Sequence, residues 1–104
     1  MNLYKTLLTT PDWLRASMNV AMLGMINCHI RLITAEFDEI NQKIFVKCFL
    51  DREVNEDDNN DIEIMMAEVL SRNGLYDFDY ECIYSKHSTR ELNHMNGSVF
   101  RRKE

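Results

Sequence analysis

The spacing of apolar side chains changes repeatedly along this chain, and each change marks an element. Trp13, Leu14, Met18, Ala21, Met22 and Met25 recur at steps of three and four, the period of one helix face. Ahead of them, Thr10-Pro11-Asp12 supplies a cap, a proline whose missing N–H costs nothing in a first turn, and an acid at the positive helix end. Gly24 supplies a stop. From Ile26 the period becomes two, with Ile26, Cys28, Ile30 and Leu32 alternating against Asn27, His29 and Arg31, which predicts a strand. Ile33, Ala35 and Phe37 continue on the opposite parity. A bulge near Leu32 or Ile33, or a strand end covered on both faces, reconciles the two runs.

Asp38 to Gln42 forms a short polar turn, and Ile44, Val46, Cys48 and Leu50 then alternate in a second strand, antiparallel to the first. Asn55 followed by Glu56, Asp57 and Asp58 starts a second helix, with a capping side chain and three carboxylates where the helix dipole favours them. Ile62, Met65, Met66, Val69 and Leu70 form its apolar face, and Gly74 after Arg72 ends it. Phe78, Tyr80, Cys82 and Tyr84 alternate in a third strand, Ser85 to His94 reads as a polar loop, and Asn96-Gly97 turns into a short last strand over Ser98 to Arg102. The order α-β-β-α-β-β predicts an α+β fold: a mainly antiparallel sheet of about four strands, joined mainly by hairpins, with two helices over one face. Residues 1–104 read as a single domain without internal repeats.

Composition narrows the class. With 45% apolar residues, three glycines and one proline in 104 residues, the chain has the content of one packed core, and neither disorder nor a two-domain enzyme fits. Met1 to Thr10 is too weakly apolar for a secretory signal, and the longest apolar candidate, Val20 to Ile26, is interrupted by Gly24 and too short to span a membrane. A cytoplasmic protein without membrane contact is expected. Cys28, Cys48 and Cys82 are odd in number and widely spaced in apolar segments, so they read as buried free thiols of a reducing compartment.

Charge is where the pattern becomes informative. The net charge is -5, but Glu36 to Glu81 holds fourteen acids and four bases, a net of -10, and the remainder carries +5. Such a balance argues against direct nucleic-acid binding, which needs clustered Lys and Arg. Asp51, Glu53, Glu56, Asp57, Asp58, Asp61 and Glu63 stand within thirteen residues that contain one base, Arg52. They serve solubility and helix capping, or they meet a basic partner and accelerate the encounter. Tyr76 and Phe78, interleaved with acids, are candidate anchors for Arg and Lys.

Catalytic motifs are absent: the chain holds no glycine-rich phosphate loop, no HExxH, no GxSxG and no paired Cys-His ligand spacing. The acidic run lacks the central glycine and ligand order of an EF-hand loop, so neither metal nor cofactor is expected. His29 reads as a solvent-facing or locally bonded strand residue. A small hydrolase using His87 and His94, or Glu81 with His87, remains the catalytic alternative, and a self-associating adaptor module a third reading. The methionines read as core filler.

Ala21-Met22-Leu23-Gly24, Ile30-Arg31, Phe49-Leu50-Asp51-Arg52-Glu53 with Glu56-Asp57-Asp58, Ala67-Glu68-Val69 and the closing Val99-Phe100-Arg101-Arg102-Lys103-Glu104 resemble a family of small bacterial immunity proteins. These accompany polymorphic toxins, contact-dependent growth inhibition systems included. The resemblance runs from about Ala21 onward and rests on strand and helix landmarks. It implies a cytoplasmic, non-enzymatic protein that binds the C-terminal domain of one cognate toxin, usually a nuclease, with an RNase or tRNase preferred here over a DNase. A homodimer stays open. On charge, the expected toxin-binding residues are Asp51, Glu53, Glu56, Asp57, Asp58 and Asp61, with Tyr76 and Phe78 as anchors.

Overall fold

The computed structural model describes residues 8–87 and 97–104. In chain order it contains β1 (Leu8–Thr9), α1 (Asp12–Ala21), β2 (Ile30–Asp38), β3 (Lys43–Leu50), α2 (Glu56–Asn73), β4 (Asp77–Tyr84) and β5 (Ser98–Arg101). The α+β class and the order of helices and strands are as expected; the two-residue β1 is an addition.

Both helices lie on one face of a five-stranded sheet. Leu14 and Met18 of α1, Ile62, Met65, Met66 and Val69 of α2, and Ile33, Ala35, Ile44, Val46 and Leu50 of the sheet form one buried cluster. Four methionines, Met18, Met22, Met65 and Met66, are buried there, filling the core. The other face carries no helix among the described residues; there Leu32 and Phe49, with Ile83 against them, make a small second cluster.

The sheet is mixed. β2 and β3 form the expected antiparallel hairpin, whose turn is organised by Asp38: its carboxylate accepts from the Ile40 and Asn41 amides and from Asn41 Nδ2. β4, however, lies parallel to β3, because α2 carries the chain back across the sheet, the connection parallel strands require. β5 does not pair with β4. It crosses to the far edge of β2, next to β1. The expectation of strands joined mainly by hairpins is corrected to this extent.

Three local readings are also corrected. Thr10 does not cap α1: Pro11 holds the cap position without a side-chain bond, and Thr10 Oγ1 donates 2.7 Å to the Ala35 carbonyl because β1 draws it against β2. The first long strand begins at Ile30, not Ile26, since Asn27 Oδ1 accepts from the His29 amide and closes a turn that competes with strand pairing. Cys28 in that turn is exposed rather than buried, whereas Cys48 is buried and Cys82 partly so. The phase slip is real. Ile30 pairs with Leu50 and Leu32 with Phe49, leaving Arg31 as the extra residue of a bulge. Beyond it, Leu32 turns to the helix-free face, and Ile33, Ala35 and Phe37 turn to the core.

Candidate partner-binding surface

Asn55 and Asp58 close a reciprocal capping box at the start of α2: Asn55 Oδ1 accepts from the Asp58 amide at 3.0 Å, and Asp58 Oδ2 from the Asn55 amide at 2.9 Å. Arg52 adds a two-bonded fork onto the same carboxylate, at 2.6 and 2.9 Å. Asp58 is therefore buried, and the Arg52 guanidinium holds its carboxyl below the usual carboxylate range. It builds the helix start and presents no free charge.

Asp51 is also engaged. Arg102 Nη1 donates to its Oδ2 at 2.7 Å, and His29 Nδ1 lies 2.9 Å from its Oδ1. Both depress its pKa, Arg102 first. The basic C-terminal segment thus folds back onto the acidic cluster. Arg102 also donates to the Cys28 carbonyl and to Glu104, and the buried Arg31 forks onto Glu104 and donates to the Ser85 carbonyl. Arg31, Arg102 and Glu104 were not among the expected site residues. Their signal is the charged ending Arg101-Arg102-Lys103-Glu104 opposite an acidic middle.

Glu53, just before α2, and Glu56 and Asp57 in its first turn are exposed and Asp61 is partly so, none with an ion pair among the described residues. Glu63, two residues further on, accepts from Tyr80 Oη at 3.0 Å and links α2 to β4. Burial and this carboxylate raise the Tyr80 pKa.

The two aromatic candidates do not join that cluster. Phe78 turns to the helix side, packs on the core and stacks on Tyr80 with ring centres 5.9 Å apart. Tyr76 is 95% exposed, but it stands just before β4, beside the β2–β3 turn, lining a cleft of about 310 Å³ with Asn41, Gln42 and Asp77. The length of β3, eight residues or roughly 25 Å at ~3.3 Å each, separates it from Asp51 and the α2 start.

As to chemistry, His87 is exposed, with its amide donating to Ser85 Oγ, and His94 lies outside the described residues. No group of three or more His, Cys, Asp or Glu among the described residues is placed to hold a metal ion. A hollow of about 350 Å³ between Phe45, Lys47, Asp79 and Glu81 opens on the helix-free face. No curated protein matches the chain. The family described as MafI2 immunity protein matches residues 11–104.

Proposed function

The chain belongs to the MafI2 immunity protein family, and on that footing we propose that it neutralises one cognate toxin domain by covering it, without chemistry of its own. The toxin is a nuclease with a basic substrate surface, an RNase rather than a DNase, and the encounter takes place in the cytoplasm, where three free cysteines are at home.

The observation that carries this reading is the uncompensated acidic surface at the start of α2. Folding pairs Asp51 with Arg102 and Asp58 with Arg52, yet leaves Glu53, Glu56, Asp57 and Asp61 together at the surface. Like charges this close repel in the free protein, and a partner of opposite sign relieves the repulsion. A nuclease must bind phosphates and so carries clustered Lys and Arg. Steered association of such surfaces reaches on the order of 10⁸ to 10⁹ M⁻¹s⁻¹ and falls with salt.

The test begins with the reading frame adjoining this gene. An exported protein ending in a basic domain supplies the partner, and calorimetry then measures complex formation with that domain. Binding together with loss of its nuclease activity supports the reading. A folded protein that neither binds the domain nor protects cells expressing it sinks the reading. Turnover by the chain alone, lost on His87→Ala, favours the hydrolase instead.

A further inference from the structure

β4 forms one edge of the sheet. Among the described residues it pairs with β3 on one flank and with no strand on the other. Its eight residues run from Asp77 to Tyr84 without a register shift, a proline or a lysine, so outward-facing N–H and C=O groups follow one another along an undistorted strand. Natural edges of this kind are shielded or used.

The helix-free face shows what this edge suits. The register sets four rows across β2, β3 and β4: Asp38–Lys43–Asp77, Glu36–Phe45–Asp79, Thr34–Lys47–Glu81 and Leu32–Phe49–Ile83. The first row alternates in sign. Lys43 Nζ is 2.9 Å from Asp79 and 3.7 Å from Asp77, and it sits 5.7 Å over the Phe45 ring. Three rows end on β4 in an acid and the fourth ends in Ile83. The Asp77 and Asp79 side chains remain 63% and 64% exposed despite Lys43.

Opposite charges on adjacent strands attract and like charges repel. A second copy pairing through β4 sets acids against acids wherever the two helix-free faces coincide, so this edge discriminates against itself. It favours a strand with Lys or Arg at alternate positions.

We propose that the β4 edge accepts a strand of the toxin domain as a sixth strand of the sheet, its basic side chains opposite Asp77, Asp79 and Glu81 and an apolar one opposite Ile83. The inference rests on the toxin-binding reading and adds its geometry. Backbone bonds along β4 supply affinity, the charge rows set the register, and the Glu53 to Asp61 cluster, at the start of the helix that the Glu63–Tyr80 bond links to β4, steers the approach.

Amide hydrogen exchange of the intact protein, alone and with the toxin domain, tests this. Exchange over residues 77–84 slows at least tenfold in the complex. Replacing Asp77, Asp79 and Glu81 together by Lys weakens binding at least a hundredfold; the milder Asp77→Asn, Asp79→Asn, Glu81→Gln set weakens it about tenfold and guards against misfolding. A complex with unchanged exchange in β4 overturns strand addition and leaves toxin binding standing. Absence of any complex overturns both. Slowed exchange in concentrated protein alone, with a dimer in sedimentation, makes a second copy the occupant and overturns the proposal.

Discussion

Arg31 and Glu104 lie 73 residues apart in the chain and meet in a two-bonded fork, Nε and Nη2 donating at 2.8 and 2.7 Å to the two carboxylate oxygens. The bulge turns Arg31 out of the ladder, the C-terminal residue answers it, and the ion pair fastens β5 to the centre of the sheet. Arg31 is only 7% exposed at its side chain, so its permanent charge relies on this partner for compensation. Glu104→Gln should cost about 2 kcal/mol, because a guanidinium is left buried without its counter-charge. A thermal melt checks it, with a fall in Tm of roughly 8 °C or more expected for a domain of this size.

Acid should loosen the protein through the carboxylates folding has engaged. Asp58, Asp51 and Asp38 are all held below their ordinary pKa, by Arg52, by Arg102 and by Asn41 respectively. A depressed pKa means the unfolded chain binds protons first. The stabilisation is complete above the unfolded value of about 3.9 and is lost as pH falls toward the folded value. Urea melts between pH 6 and 3 should show stability declining in the acid range, and Asp58→Asn should flatten that decline while lowering stability at neutral pH.

The two halves of the acidic cluster should separate in experiment. Glu56→Lys with Asp57→Lys leaves the core and the capping box intact, so stability should fall by only about 1 kcal/mol, through two carboxylates lost from the positive helix end, while association with the toxin domain slows about tenfold at low salt and its salt dependence flattens. Asp58→Ala should do the reverse, costing about 2 kcal/mol through the lost cap and the stranded Arg52. Stopped-flow association rates beside denaturant melts distinguish them. Equal effects on both quantities from both variants would defeat the division.

Thiol reactivity should follow the fold. Cys28, exposed in the turn before β2, should react with an aromatic disulfide reagent in the native state. Cys48 faces Cys82 across β3 and β4, and the neighbouring thiol and burial push its pKa up, so it should stay silent until the protein unfolds. Timed mass spectrometry of the labelled protein gives the order.

Two glycines with positive φ should respond differently to alanine. At Gly97 (φ +79°) a Cβ would stand 2.7 Å from the Ala35 carbonyl oxygen and 2.7 Å from Thr10 Oγ1, whereas at Gly24 (φ +77°) nothing lies within 4 Å. Gly24→Ala should cost about 1 kcal/mol for its backbone alone. Gly97→Ala should cost clearly more, since the backbone oxygen it meets belongs to a paired strand. Parallel melts decide this.

What the sequence by itself determined are the features whose causes lie within a few residues. The cap at Asn55, the stop at Gly74, the Asp38 turn, the β3 alternation and the parity slip at Leu32 are all set by local chemistry, and the family landmarks follow the same elements. Partnership across distance belongs to the tertiary structure. A strand carries the same outward bonds whichever neighbour it takes, so alternation alone did not tell that β4 lies parallel to β3 or that β5 crosses to β2. Charge behaves likewise: a run of acids has one net charge in sequence, but only folding brings Arg102 to Asp51 and Arg52 onto Asp58. The same folding sets Tyr76 at the far end of β3, because opposite ends of a strand stay as far apart as its residues are long.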